Sequence, residues 1–267
     1  MNIGHMEVAM DDKTALITGA SSGLGIAFAR ELAGRGYDLA LTARSQAPME
    51  RLGDELRRAY GIKVPIFPFD LSEFGSPAKL AQRLDEQGIV PDVLVNNAGF
   101  GLSERLLDHD PKRLAAMLQL NVMSLTELSQ ILGRRMAERG HGHILMVASM
   151  AAFQPTPMMA AYGASKAYIL SLGEALNLEF APSVGVTVLS PGLMNTGFNA
   201  ASGYETSSSM ERFVLPTERV AKIGLDALFA RRSSAVAGRL NGVMAFASRF
   251  VSRHAAAKQV YRMSGGK

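Results

Sequence analysis

Short apolar runs alternate with longer stretches of helical periodicity from residue 13 to about residue 190. Thr14–Thr18, Asp38–Thr42, Val64–Phe69, Val93–Val95, His143–Val147 and Val186–Leu189 each read as a buried strand. Between them, Ile26–Gly34, Met49–Tyr60, Pro77–Gln87, Pro111–Arg139 and Ala164–Phe180 read as helices. Repetition of strand, helix and strand predicts a parallel sheet covered on both faces. Right-handed crossovers then make it doubly wound. Pro65 and Pro68 predict a third strand of modest regularity. There is no internal repeat and no linker that would split the chain. Open α/β sheets of 267 residues occur as one domain, and 48% hydrophobic with 19% charged residues supplies a sizeable core.

Composition removes several function classes. There is no cysteine, so disulfides, thiol nucleophiles and thiolate metal sites are excluded. This fits a reducing compartment. The net charge is +4, but the basic residues are spread out, with short pairs at Arg134–Arg135 and Arg231–Arg232. No basic block with interleaved aromatics argues for nucleic acid. Met1 to Asp12 has neither the basic start nor the apolar core of a signal peptide. Gly4-His5-Met6 reads as a cloning scar, and residues 1–12 are set aside as an extension or tag. No apolar run approaches bilayer-spanning length, so a soluble cytoplasmic protein is expected. His141 and His143 read as turn residues, with no carboxylate at a spacing that suggests a shared metal site. Ser149 lacks the Gly-x-Ser-x-Gly setting of a hydrolase nucleophile.

The first strand runs into Thr18-Gly19-Ala20-Ser21-Ser22-Gly23-Leu24-Gly25 and then opens a helix. Gly19 permits a tight turn, Gly23 lets backbone approach a pyrophosphate, and Gly25 allows close packing of helix on sheet. The helix N-terminus directs N–H groups and partial positive charge at phosphate. Downstream, Tyr162 and Lys166 stand four apart at a helix start and share a face. A free tyrosine, with a pKa of about 10, is a poor base at neutral pH. A neighbouring ammonium favours its phenolate.

The spacing Gly-x-x-x-Gly-x-Gly resembles the cofactor loop of the short-chain dehydrogenase/reductase family. Other motifs recur in order: Asn96-Asn97-Ala98-Gly99 after the fourth strand, Asn121 within a long helix, and Ser149 at the end of the fifth strand. Tyr162-Gly163-Ala164-Ser165-Lys166 and Pro191-Gly192-Leu193-Met194-Asn195-Thr196 complete the set. The resemblance covers roughly Lys13 to Thr196. It implies a Rossmann-type fold over residues 13–238, binding a nicotinamide dinucleotide and transferring a hydride between it and a carbonyl or alcohol. It also implies the roles. Tyr162 is the acid/base. Ser149 hydrogen-bonds the reacting oxygen. Lys166 holds the nicotinamide ribose and tunes Tyr162. Asn121 positions a water in a proton relay, or else is a structural amide that bends its helix. Asp70 and Leu71 border adenine, although Asp70 reads equally as a turn cap. The dinucleotide's remaining contacts fall to Gly19, Ser21, Ser22, Gly23, Leu24, Gly25, Asn97, Ala98, Gly99, Pro191, Gly192 and Thr196. Family members often form dimers and tetramers, so a homodimer or homotetramer is expected through helices 111–139 and 164–180.

Ala43-Arg44 ends the second strand, where family members that use NAD tend to carry an acid. Arginine pairs two N–H groups with a phosphate, which favours NADP(H). Met150, Phe153, Met158, Met159, Leu193, Met194 and Phe198 flank the catalytic motifs as candidate pocket residues, and the 15 methionines suit adaptable apolar packing. An apolar ketone, aldehyde or 3-oxoacyl group is expected over a sugar. Residues 197–216, polar with scattered large apolar side chains, read equally as a substrate lid or a plain loop. Residues 239–267 form an amphipathic basic helical extension, for which packing on the core is favoured over subunit pairing or contact with an anionic membrane surface. A non-catalytic NADP(H) sensor or interaction protein on the same fold is the rival reading. The full set of Ser149, Tyr162, Lys166 and Asn121 argues against it, because a sensor needs no proton donor.

Overall fold

A computed structural model describes residues 13–194 and 214–263. Among these residues, seven parallel strands form one sheet in the order β3-β2-β1-β4-β5-β6-β7. They are β1 (Thr14–Thr18), β2 (Asp38–Ala43), β3 (Ile66–Pro68), β4 (Val93–Asn96), β5 (Gly142–Val147), β6 (Val184–Ser190) and β7 (Ser234–Val236). The helices are α1 (Gly23–Gly34), α2 (Gln46–Tyr60), α3 (Ser76–Glu86), α4 (Pro111–Leu118), α5 (Leu125–Arg139), α6 (Ala160–Glu179), α7 (Thr217–Phe229), α8 (Arg239–Ala247) and α9 (Arg253–Met263). Among the described residues, no helix is long and apolar enough to cross a membrane.

The expected doubly wound sheet is what forms. Its strands are near-continuous apolar runs because both faces are covered; every residue of β6 is buried. Phe28, Leu32, Leu52, Leu56, Leu225 and Leu228 of α1, α2 and α7 pack on one face. Leu80, Leu84, Leu128, Leu132 and Ile169 of α3, α5 and α6 pack on the other. β1 pairs with both β2 and β4, so the winding reverses there. That reversal opens a crevice at the carboxyl ends of β1 and β4, where α/β sheets bind ligands.

Several elements depart from expectation. β3 shrinks to three residues, because prolines at 65 and 68 each lack a ladder donor. The single helix expected over 111–139 is three pieces, with a π-helical stretch at Gln119–Ser124 between α4 and α5. β7 and α7 have no counterpart among the expected elements. His143 lies within β5, which bears out the strand reading of His143–Val147 over the turn reading, and packs edge-on against Phe229 with centroids 5.4 Å apart. His141 Nε2 lies 3.3 Å from Asp92 Oδ1. The C-terminal segment is two helices, α8 and α9, and not one.

Candidate active site

A cleft of about 930 Å³ runs along the carboxyl edge of the sheet. At one end stands the turn between β1 and α1. Gly19 has φ of 69°, a left-handed conformation that a side chain would strain. A Cβ on Gly25 would lie 2.1 Å from the Gly19 carbonyl oxygen, so the helix meets the turn at backbone contact. The Ser22 side chain does not cap α1, and the first turn carries no acid. The Gly25 N–H donates to the Ser22 carbonyl at 3.2 Å, and the N–H groups ahead of it and the partial positive charge face an anion. Thr18 Oγ1 accepts from the Asn97 and Ala98 N–H groups, and Asn97 Nδ2 donates to the Thr18 carbonyl at 2.9 Å. These bonds lock the loop after β4 against the glycine turn. The cradle fits a dinucleotide diphosphate by its close backbone, its uncapped helix and its lack of an acid in the first turn.

Ser21, Ser22, Gly23, Leu24, Asp70, Leu71, Asn97, Ala98, Gly99, Pro191 and Gly192 line the cleft with Gly19. Gly25 does not line it; it is buried behind the turn. Arg44 lines the cleft, is exposed, and has no ion-pair partner among the described residues. Asp70 also lines it, but its Oδ1 accepts from the Ser72 N–H at 2.9 Å and the Ser72 hydroxyl at 2.6 Å. The capping alternative for Asp70 is thus present alongside its place in the cleft.

At the centre, β5 ends in Val147 and delivers Ser149. Its Oγ accepts from the Ala151 N–H at 3.1 Å, which fixes the hydroxyl at the start of a short turn. Tyr162 and Lys166 come one turn apart from α6, and both are buried. The Tyr162 hydroxyl shares a hydrogen bond with Ser149. Lys166 Nζ donates to the Val147 carbonyl at 2.9 Å and stands 5.7 Å from the Tyr162 ring centroid. A Cβ on Gly163 would strike Thr156 Oγ1, so glycine lets the 153–159 loop close onto α6 beside the tyrosine. Burial pushes the Tyr162 phenol up to about 12, against the Ser149 hydrogen bond that favours the phenolate. Burial pushes Lys166 down to about 8.

Asn121 sits one layer behind. It is wholly buried in the π-helical stretch and does not line the cleft. Its Nδ2 donates to the Phe100 carbonyl at 2.9 Å and to Ser165 Oγ at 3.2 Å, while its Oδ1 accepts from the Phe100 N–H. The amide is fully engaged in holding the loop after β4 to α6.

At the far end, Met150, Phe153, Met158, Met159, Leu193 and Met194 line the cleft. Met158 has φ of 69°, a strained setting for a side chain of its size. Thr196, Phe198 and most of the 197–216 segment lie outside the described residues. Sequence reasoning missed Met244, Ser248 and Val260, which the C-terminal helices bring to the same cleft. Their amphipathic spacing was visible, but nothing local could say that the segment folds back over the site.

A doubly wound sheet with a glycine cradle and, in the same cleft, half-buried Ser149 beside buried Tyr162 and Lys166 defines an α/β protein of the dinucleotide-binding type. Residues 13–206 match the family model for short chain dehydrogenase, and the chain belongs to that family. It is 32% identical over 215 residues to a probable oxidoreductase, EphD, of Mycobacterium bovis. That match covers 78% of this chain but only 36% of the relative, so the chain spans about a third of that protein's length. The structure resembles a short-chain dehydrogenase from Sphingobium yanoikuyae in complex with NADPH, with a TM-score of 0.79 and 28% identity over 90% of this chain and 97% of that one. It also resembles a short chain dehydrogenase/reductase from Burkholderia phymatum in complex with NAD, with a TM-score of 0.78 and 27% identity over 88% and 92% of the two chains. A nicotinamide cofactor is supported by both likenesses.

Proposed function

We propose that the chain is an NADP(H)-dependent reductase of an apolar ketone, aldehyde or 3-oxoacyl substrate, able to run in reverse on the alcohol. The observation that carries this reading is the meeting of Ser149, Tyr162 and Lys166 in the cleft that begins at the glycine cradle. The nicotinamide, when bound, supplies the hydride that goes to the carbonyl carbon. Everything else is the work of the chain. Tyr162 gives its phenolic proton to the carbonyl oxygen. Ser149 donates a hydrogen bond to the same oxygen as negative charge develops. The Lys166 ammonium stabilises the phenolate that remains. Asn121 enters as a positioning group: it holds Phe100, and with it the Gly99 loop, against α6.

Arg44 supports NADP(H). It is exposed at the cleft, has no ion-pair partner among the described residues, and follows Ala43 where an acid would repel a 2′-phosphate. The apolar wall supports the substrate class. Lys166 and Arg44 are the only Lys or Arg among the described residues that line the cleft. Assembly through α5 and α6 belongs to the same reading, and the exposed Met123, Tyr168 and Leu178 lie along that region.

Titration with NADPH and then NADH, followed by nicotinamide fluorescence, tests the cofactor. Tight NADPH and weak NADH binding is expected; equal binding removes Arg44 from the argument, and binding of neither removes the enzyme reading. A panel of apolar carbonyls and sugars with NADPH then tests the substrate class. Turnover confined to sugars would refute it.

A further inference from the structure

The C-terminal helices carry an unusual surface. α8 touches the fold through buried Asn241 and Ala245, and α9 through Ala256. Asn241 Nδ2 donates to the Ala237 carbonyl at 2.6 Å, and a Cβ on Gly192 would lie 2.3 Å from that same nitrogen. The unit is therefore fixed against the cleft's Pro191-Gly192 wall. Its other side is apolar and open: Val243 is 64% exposed, Phe246 59% and Phe250 77%. The two rings form an edge-to-face pair with centroids 5.4 Å apart, and the Arg249 guanidinium stands 5.9 Å from the Phe246 ring. Arg253 follows, also exposed. After Asp226 the chain has no Asp or Glu, yet eight of its 28 Lys and Arg residues fall there.

Exposed aromatics among unbalanced cations call for an occupant that is both apolar and anionic. A second copy of this face does not qualify, because a two-fold contact would set the same cations against each other without a carboxylate. An anionic lipid surface qualifies on both counts: the rings enter the headgroup boundary and the arginines meet lipid phosphate. We infer that α8 and α9 dock the protein onto an anionic bilayer. Met244, half exposed beside Val243, also lines the cleft. Docking there places the cleft mouth at the lipid surface, where apolar carbonyl compounds concentrate. This delivery step rests on the reductase reading; the docking itself does not.

The full chain is floated with vesicles of phosphatidylcholine, alone or mixed with phosphatidylglycerol. Flotation with the mixed vesicles, lost in high salt, is expected. Arg249→Gln with Arg253→Gln should weaken it about 30-fold. Phe246→Ser and Phe250→Ser should each weaken it about tenfold. Thermal melting and NADPH fluorescence should be unchanged in all variants. No flotation, or flotation indifferent to these changes, would overturn the proposal. So would a shift in sedimentation velocity without a loss of flotation, which would make the face a subunit interface. Stimulation by mixed vesicles of turnover on a membrane-partitioned ketone, but not on a water-soluble one, tests delivery. If flotation holds while no carbonyl is reduced, the reductase reading fails and the docking stands.

Discussion

Replacing Tyr162 by Phe removes one oxygen from the centre of the cleft and almost nothing else. The ring stays in its buried site at 7% exposure, so packing against Leu102 and Met117 is kept. Ser149 loses the hydrogen bond to the phenol but keeps the Ala151 N–H. One buried hydrogen bond is worth about 1 kcal/mol net. In a domain of this size that lowers Tm by about 2–4 °C. The chemical loss is much larger. Without the phenol, the developing oxyanion has only the Ser149 hydroxyl and no positioned acid. General acid catalysis contributes about 10²–10⁴ in rate, so kcat should fall by that factor. NADPH should still bind within about twofold, since the glycine cradle and Lys166 are untouched. Stopped-flow or steady-state loss of NADPH absorbance measures turnover, and nicotinamide fluorescence measures binding. A Phe variant that keeps most of its turnover would refute the assignment of the proton to Tyr162. Loss of NADPH binding in step with turnover would show that the hydroxyl serves the cofactor instead.

Other perturbations test neighbouring links. Gly25→Ala puts a Cβ within 2.1 Å of the Gly19 oxygen, so the turn and helix must separate. A stability cost of about 1–3 kcal/mol is expected by thermal melting, with weaker binding of either nicotinamide in the fluorescence titration. Arg44→Asp removes a charge-assisted contact and adds a repulsion. NADPH affinity should fall about 10–100-fold while NADH affinity holds or rises, measured by paired titrations. For pH, the protonated phenol is the form that reduces, and it persists to about pH 12 in the free protein, whereas Lys166 loses its charge near pH 8. Reduction should therefore be flat below about pH 8 and decline above it. Oxidation, which needs phenolate, should rise with pH; the opposite slopes would contradict the assignment.

The sheet was legible because a strand buried on both faces must be apolar along its whole length. β1, β2, β4, β5 and β6 all show this, and each matches its expected run within two residues. β7 is Ser-Ala-Val at the sheet edge, half-buried throughout, and too short to stand out. α7 does carry a helical repeat in Val220, Ala221, Leu225 and Leu228, so its signal was present in the sequence. The site was legible where chemistry forces residue type, as at Gly19, Ser149, Tyr162 and Lys166. It was not legible where only tertiary placement matters. Nothing near Asn121 shows that its amide will be taken up by Phe100, 21 residues away. Likewise, nothing near Met244 or Val260 shows that they will roof a cleft built by other strands.

The two central shifts have one cause, and that cause bears on direction. Tyr162 rises from 10.0 to about 12 and Lys166 falls from 10.5 to about 8, each chiefly because burial disfavours its charged form. The resting site thus keeps the proton on the phenol. When the carbonyl carbon receives a hydride, its oxygen becomes an alkoxide, which binds a proton more tightly than a phenolate does. Reduction therefore starts from the ground state of the buried pair. Oxidation must first produce a phenolate, and burial alone opposes it. A positive charge arriving beside Tyr162, such as that of an oxidised nicotinamide ring, lowers the cost. Water reaching the pair would do the same by returning both groups toward 10.0 and 10.5. Dryness at Tyr162 and Lys166 therefore raises the pH at which oxidation sets in, and leaves the equilibrium between carbonyl and alcohol unchanged. A variant that wets them should oxidise alcohol at lower pH than the parent does.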